Sequence, residues 1–226
     1  MPAVPAAIPP LIITGRAASV SFATPVLLAP MEGITEAVFR ELVIDLGGVG
    51  GACTEFIRVS SSAIPRKVIA RHLGAQPAAC PVGVQLMAPD AEHIQATIEA
   101  AASAGAPWID LNFGCPAPVV FDKCAGSALL AHPERVGAII AAAVAATEVP
   151  VSAKIRAGVA DSSRLDDLVL AAIEAGAAML TVHARLRTHA YTHPATWAWI
   201  ARARALIDRS GRRVLLVGNG GVDHHD

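Results

Sequence analysis

The segment Asp110-Leu-Asn-Phe-Gly-Cys115-Pro116 combines the residue types of a turn that could hold a catalytic thiol. Gly114 allows the backbone to turn and Pro116 makes the turn rigid, while Asn112 brings an amide beside the thiol of Cys115. A lone cysteine is more often a small buried hydrophobe, so its setting decides between the two interpretations. A thiol near its unperturbed pKa of ~8.5 is mostly protonated at neutral pH, which predicts that Cys115 acts as a proton donor.

Three other segments place polar groups directly after apolar runs. Lys154 is costly to bury alone, which favours a bound anion or electron-rich ring, or else an ion pair with Glu55 or Asp110. His183 could donate to a phosphate or a ring carbonyl, or be a hydrogen-bonded core histidine. The loop Asn219-Gly220-Gly221 could cradle a phosphate with its backbone amides, or be a simple turn.

Short apolar runs alternate with helical patterns along the chain, and this order is typical of a parallel α/β fold. Seven runs have the length of a buried strand: Val26–Ala29, Ala52–Phe56, Val82–Met87, Trp108–Asn112, Val151–Ile155, Met179–Val182 and Val214–Gly218. The helices predicted between them are Glu36–Leu46, Ser60–Leu73, Ala91–Ala104, Pro133–Thr147, Arg164–Ala175 and Pro194–Ser210.

Two parallel architectures compete for these elements. An open doubly wound sheet would use a Gly-x-Gly-x-x-Gly loop after its first strand, and the sequence lacks that loop. A TIM (β/α)8-type barrel is favoured because it collects polar residues from many strand ends on one face, here Glu32, Glu55, Gln85, Asn112, Lys154, His183 and Asn219. Because seven strands are predicted instead of eight, we expect an incomplete barrel. A fragment of a longer protein is favoured over an eighth strand from a partner chain.

The composition is that of a globular chain without a strongly basic surface. Of the 226 residues, 54% are hydrophobic and 16% are charged, and the formal net charge is -1. Residues 1–22 are expected to form a flexible Pro/Ala-rich leader, and residues 23–226 a single catalytic domain. No metal is expected, because no cysteines have C-x-x-C spacing and Pro194 separates His189 and His193 from any helix. No signal peptide or membrane span is predicted, which indicates a cytoplasmic protein.

Eight segments, in this order, resemble the tRNA-dihydrouridine synthase family, from about residue 26 to the end of the chain. They are Leu27-Leu-Ala-Pro-Met-Glu-Gly33, Cys53-Thr-Glu-Phe-Ile-Arg-Val59, Val84-Gln-Leu86, Asp110-Leu-Asn-Phe-Gly-Cys-Pro116, Ala125-Gly-Ser-Ala-Leu-Leu130, Val151-Ser-Ala-Lys-Ile-Arg156, Val182-His-Ala-Arg185 and Gly218-Asn-Gly220. Each segment is weak alone, but the order is specific. The run Thr54-Glu-Phe-Ile-Arg58 is similar to the bacterial tRNA-dihydrouridine(16) synthase-like branch, which modifies a D-loop uridine.

The resemblance implies a barrel that binds flavin mononucleotide (FMN), followed by a small helical domain that helps to grip tRNA. NADPH reduces the flavin, hydride passes to C6 of a uridine, and a cysteine protonates C5 to give 5,6-dihydrouridine. By position, Cys115 is that acid, and Asn112, Arg156 and Arg185 contact the substrate. The implied cofactor contacts are Pro30, Met31, Glu32, Gln85, Lys154, His183, Asn219 and Gly220. The implied partner is tRNA, without membrane or metal, and the full-length protein is expected to be a monomer.

The sequence departs from the family pattern in two places. Gly221 stands where the family usually has an acidic residue after Asn-Gly. The eighth strand and the helical domain are not among the predicted elements, which removes half of the expected phosphate site. Two other hypotheses therefore stay open: a flavin barrel that acts on a free pyrimidine, as dihydroorotate-type enzymes do, and an inactive truncated product.

Overall fold

The computed structural model describes residues 10–76 and 80–222, whose centre is a curled sheet of parallel strands. An antiparallel hairpin precedes the sheet and consists of β1 (Leu11–Thr14) and β2 (Ser19–Phe22). The sheet contains β3 (Leu27–Leu28), β4 (Gly51–Cys53), β5 (Ile57–Arg58), β6 (Val82–Met87), β7 (Ile109–Phe113), β8 (Val151–Arg156), β9 (Met179–His183) and β10 (Leu215–Asn219). Its hydrogen-bonded order is β3-β4-β6-β7-β8-β9-β10, and β5 pairs with β6 beyond the end of β4.

The predicted parallel α/β architecture is confirmed, because each of the seven expected strands is present in this path. The path begins at β3 and ends at β10, as expected for a barrel of which seven strands are in view. The strand β5 was not predicted, because two residues are too few to show a strand periodicity.

The helices lie between the strands and cover the outer face of the sheet. They are α1 (Ala37–Asp45), α2 (Arg66–Leu73), α3 (Ile94–Ser103), α4 (Pro118–Phe121), a 3-10 turn (Gly126–Ala131), α5 (Pro133–Ala145), α6 (Leu165–Glu174) and α7 (Ala198–Ser210). The expected helix from Ser60 is wrong in its first turn and a half, because Pro65 forces Ile64 out of the helical region. None of the helices in the described residues is both long and apolar enough to cross a membrane.

The register of the parallel strands sorts the side chains into two faces. Leu111 of β7 lies opposite Leu86 of β6 and Ala153 of β8, and all three are buried beneath the helices. On the other face, Asp110 lies opposite Gln85 and Ser152, inside the curl of the sheet. The apolar contacts with the helices therefore fix which residues face the interior.

The expectation of a flexible leader through residue 22 is wrong for the part that the structure describes. β1 and β2 pair over four residues each and bury Ile13, Val20 and Phe22. Ile13, Val20 and Phe22 are apolar and belong to one cluster with Trp108 and Met179, so hydrophobic burial holds the hairpin against the sheet. Residues 1–9 of the expected leader lie outside the described residues.

The rings of Phe22 and Trp108 close one end of the sheet interior. Their centroids are 5.4 Å apart and their planes meet at 88°, an edge-to-face contact. Glycines make room for both rings: a Cβ at Gly51 would lie 2.6 Å from the ring of Phe22, and one at Gly83 would lie 2.3 Å from that of Trp108. The hairpin is thus an apolar plug beneath the polar residues of the interior.

Replacing Phe22 by alanine should lower the free energy of unfolding by about 3–5 kcal/mol, because a fully buried ring is lost and a cavity remains. Urea unfolding of the 226-residue chain measures the difference. The matched control is Phe39→Ala, since the side chain of Phe39 is 36% exposed on α1 and should cost far less. Equal losses in the two variants would mean that the hairpin is not part of the core.

Candidate active site

The turn that carries Cys115 is held by hydrogen bonds from both sides. Asn112 Oδ1 accepts from the backbone N–H groups of Gly114 and Cys115, each at 3.0 Å. The guanidinium of Arg156 donates from Nε to the carbonyl oxygen of Gly114 at 3.0 Å. The carbonyl of Cys115 accepts from the N–H of Ser127 at 3.1 Å, which ties the turn to the 3-10 segment. The half-buried thiol therefore sits on a fixed backbone just beyond the end of β7.

The surroundings of Cys115 keep its thiol protonated. Burial raises the pKa of the Cys115 thiol above its ordinary value, and the negative charge of Glu32 adds to this effect. A hydrogen bond with the backbone of Ala117 and the charges of Arg58 and Arg156 act in the opposite direction and do not cancel it. A protonated thiol at neutral pH is suited to general-acid chemistry and unsuited to nucleophilic attack.

Gln85 lies beside this turn on the neighbouring strand. Its Oε1 accepts from Asn112 Nδ2 at 2.8 Å, and the residue is 1% exposed. Gln85, Asn112 and Cys115 therefore lie together in the structure. From the sequence, Gln85 was expected to contact the cofactor, Asn112 to contact the substrate, and Cys115 to be the proton donor.

A cavity within the curl of the sheet contains Lys154. Its empty volume is about 470 Å³, and this volume includes a part that is open to solvent. Pro30, Asp110, Lys154 and Asn219 contribute to its wall, and Lys154 Nζ donates to Asn219 Oδ1 at 3.1 Å. Among the described residues, the ammonium makes no ion pair with Glu55 or Asp110, so the ion-pair alternative is not what the structure shows.

Burial lowers the pKa of Lys154 to about 8, and the nearby positive charge of Arg156 contributes to the shift. The carboxylate of Asp110 opposes it by favouring the charged ammonium. A cation that is short of hydration and only partly compensated is a good partner for an anionic or electron-rich ligand.

His183 is neutral and is fixed in one tautomer. Burial and the charges of Lys154, Arg156 and Arg185 lower the pKa of His183 to about 3. Arg185 Nη1 lies 3.1 Å from His183 Nε2. Because a guanidinium can only donate, Nε2 accepts and the ring proton is on Nδ1. His183 can therefore offer a hydrogen-bond donor to a ligand but no charge.

Gly220 packs directly against this histidine. Its φ is +100°, and a Cβ there would lie 2.7 Å from His183 Cδ2 and 2.9 Å from Arg185 Nη1. The backbone at the end of β10 thus approaches the site closely, as a loop that offers its amides to a ligand must.

The two arginines predicted to contact a substrate are partly engaged by the protein. Arg156 donates to the carbonyls of Gly114 and Leu186, and its guanidinium lies 5.6 Å from the ring centroid of Tyr191. Arg185 donates from Nε to the carbonyl of His193 at 2.6 Å. Tyr191, which is 70% exposed, was not predicted, because a single tyrosine in a loop carries no motif.

The loop after β3 forms another part of the rim. Met31 and Glu32 are exposed, and the backbone of Met31 is anchored by the Thr35 hydroxyl, which accepts from its N–H at 2.8 Å. Glu55 is used in the same anchor, because its Oε1 accepts from the N–H of Ile34 at 3.1 Å. Pro30 contributes to the cavity wall, whereas Met31 and Glu32 are exposed and do not line the cavity.

Across residues 10–76 and 80–222, no three His, Cys, Asp or Glu side chains come together as metal ligands would. The rings of His189 and His193 are stacked, with centroids 3.7 Å apart. The nitrogen Nδ1 of His193 lies 2.9 Å from the carbonyl oxygen of Pro194. These contacts are packing interactions within one loop.

Comparison with known sequences points to one family. The profile of the dihydrouridine synthase (Dus) family matches residues 27–226. A tRNA-dihydrouridine(16) synthase from Cupriavidus necator is 41% identical over 203 residues, which cover 86% of this chain and 62% of that protein. One from Ralstonia nicotianae is 40% identical over 205 residues, covering 87% and 61%. The chain spans about three fifths of the length of these relatives.

Two crystal structures are similar in fold. A candidate deoxyribose-phosphate aldolase from Coccidioides immitis superposes with a TM-score of 0.52 at 12% identity, covering 87% of this chain and 71% of that one. A candidate lactate oxidase from Pediococcus acidilactici superposes with a TM-score of 0.50 at 18% identity, covering 97% and 62%. At these identities the similarity concerns the fold alone.

Gly220→Ala should distort the contact with His183 and Arg185, because the new methyl group would overlap both side chains. We expect a loss of about 2–3 kcal/mol in the free energy of unfolding. Gly211→Ala is the matched control: it also has a positive φ, +67°, but nothing lies within 4 Å of its Cβ position. Its cost should stay near 1 kcal/mol. If urea unfolding showed equal losses, close packing at Gly220 would not be a feature of the site.

Proposed function

Because this chain belongs to the dihydrouridine synthase family, we propose that it reduces a uridine in the D-loop of tRNA to 5,6-dihydrouridine, with FMN as cofactor and NADPH as reductant. The observation that carries this proposal is the Cys115 thiol, which is held on a rigid turn and kept protonated by burial. An acid of this kind is what the second half of a uracil reduction requires.

The residues of the interior fit FMN in their chemistry. Lys154 offers a positive charge, Asn219 offers an amide and neutral His183 offers an N–H, whereas both ends of the buried Gln85 amide already bond Asp110 and Asn112. Gly220 lets the backbone of its loop lie directly against His183 and Arg185, and the amides of that loop are the groups that would bind the phosphate. Pro30, Met31 and Glu32 would border the cofactor from the first loop, and when bound, FMN would supply hydride to C6 of the uracil.

Cys115 donates the proton in this proposal. Addition of hydride at C6 leaves negative charge on the C5–C4=O unit, and transfer of the thiol proton to C5 neutralises it. Asn112 and Arg156 fix the backbone that carries the thiol. In this proposal they also orient the base, together with Arg185. The charge of Glu32 helps to keep the proton on sulfur until it is needed.

A tRNA substrate places one more demand on the site. The uridine must leave its stack to reach the interior of the sheet, which requires a mouth that is open at the ends of the strands. The curated relatives are named for tRNA dihydrouridylation at position 16, and we propose the same substrate class for this chain. We also propose that the full-length protein acts as a monomer in the cytoplasm, where NADPH and tRNA are present.

Replacing Cys115 by alanine should lower dihydrouridine formation by about 10²–10⁴-fold, because the proton donor is lost. Binding of FMN, followed by quenching of its fluorescence, should not change. The assay contains the 226-residue chain, FMN, NADPH and unmodified tRNA, and mass spectrometry of the nucleosides measures the product. Cys124→Ala, at an exposed cysteine, is the control and should retain activity.

Three results would contradict the proposal. Full turnover in Cys115→Ala would show that Cys115 is not the proton donor. Activity on free uracil or dihydroorotate but none on tRNA would favour the free-pyrimidine enzyme. A folded chain without FMN binding would favour an inactive product.

The affinity for FMN should fall as the pH rises through about 8, the pKa of Lys154. Below that pH the ammonium is charged and attracts an anionic or electron-rich ligand, and above it the attraction is lost. Fluorescence titrations between about pH 6.5 and about 9.5 measure the change. Lys154→Met should bind weakly and without this pH dependence, whereas the exposed Lys67→Met should behave as the wild type. A transition that persists in Lys154→Met would assign it to another group.

A further inference from the structure

A buried row of polar side chains lies beneath the Cys115 turn. Ser152 Oγ donates to Asp110 Oδ1 at 2.6 Å, and Gln85 Nε2 donates to Asp110 Oδ2 at 2.6 Å. Asn112 Nδ2 then donates to Gln85 Oε1 at 2.8 Å. The row ends where Asn112 Oδ1 accepts from the N–H of Cys115 at 3.0 Å.

The hydrogen bonds of this row have one direction. Burial raises the pKa of Asp110, whereas the hydrogen bonds from Ser152 and Gln85 and the charge of Lys154 favour its ionised form. A carboxylate offers only lone pairs, so Gln85 must turn its NH2 group towards it. The oxygen of Gln85 then faces Asn112, which must turn its own NH2 group towards Gln85. This leaves the oxygen of Asn112 for the backbone N–H groups of the turn. Reversing either amide would set two acceptors or two donors against each other in a buried place.

We propose that Asp110 is a positioning residue for the proton donor, because it sets the orientation of Gln85 and Asn112 and thereby fixes the Cys115 turn. Asp110 is 3% exposed, Gln85 1% and Ser152 0%, so water does not compete for these bonds. The inference rests on the proposed function only in calling Cys115 the proton donor. The orientation itself is testable without FMN, NADPH or tRNA.

Changing the acceptor at the far end of the row tests the direction. In Asn112→Asp, carboxylates stand on both sides of Gln85, and its single amide cannot donate to one without turning its oxygen to the other. Adding Asp110→Asn removes the conflict. Gln85 then reverses, Asn at position 110 donates to its oxygen, and the carboxylate at position 112 still accepts from the Cys115 turn. Asp110→Asn alone keeps the original direction, because its oxygen still accepts from Gln85.

The experiment compares these variants of the 226-residue chain by thermal unfolding and by alkylation of Cys115 with iodoacetamide. Mass spectrometry separates the Cys115 and Cys124 peptides, and exposed Cys124 is the internal reference. We expect Asn112→Asp to lower the Tm by at least about 4 °C. We expect it to raise the Cys115-to-Cys124 rate ratio by about fivefold or more, because the turn is freed. Asp110→Asn/Asn112→Asp should return most of the way to the wild type in both measurements.

A purely structural role for Asp110 gives the opposite result, since the damage of the two changes would then add. A double variant as unstable as the sum of the singles overturns the proposal, and so does an unaffected Asn112→Asp. If Asn112→Asp yields no folded protein, recovery of folded protein in the double variant supports the proposal and failure contradicts it. The matched surface control is Asp45→Asn, which should not rescue Asn112→Asp.

Relief of repulsion between two carboxylates could also produce a rescue, and Gln85→Leu separates the two causes. Repulsion acts through space and persists without the amide, whereas the orientation passes through Gln85. In the Gln85→Leu background, Asp110→Asn should therefore no longer rescue Asn112→Asp. A rescue of unchanged size there would overturn the role of Asp110 as a positioning residue. Neither result depends on whether the chain reduces uridine.

Discussion

The in-register pairing of β6, β7 and β8 is the constraint on which the site depends. It places Gln85 opposite Asp110 and Asp110 opposite Ser152, on the inner face of the sheet. The outer face of the same strands is held under the helices by apolar contacts. A slip of one residue would turn the polar row into the helix layer and bury it without partners. Hydrophobic burial outside the sheet therefore determines the polar chemistry inside it.

The apolar plug lies below the polar row and raises the cost of leaving a hydrogen bond of that row unmade. Phe22 and Trp108 fill the closed end of the interior, and Gly51 and Gly83 give them the space to do so. Water is excluded there, so an unpaired amide or carboxylate has no alternative partner. The hairpin that supplies Phe22 is far from the thiol in sequence, yet Phe22 belongs to one buried cluster with Trp108, two residues before Asp110.

Much of the sheet could be predicted from the sequence, because β6 to β10 are short, mostly apolar runs that carry polar residues within the strand or at its end. The Cys115 turn and the polar strand ends were predicted from the same pattern. The hairpin was not, because an alternation of four residues such as Ser19-Val-Ser-Phe22 is too short to predict a strand next to a Pro/Ala-rich segment. Its apolar side chains also pack on Trp108 and Met179, which are distant in sequence. Nor could the sequence show that Lys154 bonds Asn219 instead of a carboxylate, since that choice depends on the spacing of distant strands.

A count of charged residues in the sequence also does not show how charge is distributed in the interior of the sheet. The chain has a formal net charge of -1, but burial, together with the positive charges of Lys154, Arg156 and Arg185, lowers the pKa of His183 to about 3. Asp110 is the carboxylate that bears most on Lys154, and its oxygens are already occupied by Gln85 and Ser152. The positive charge of the interior is thus incompletely balanced by the protein. A nearly neutral chain can therefore present a site that attracts anionic ligands, because only nearby charges act through the buried interior.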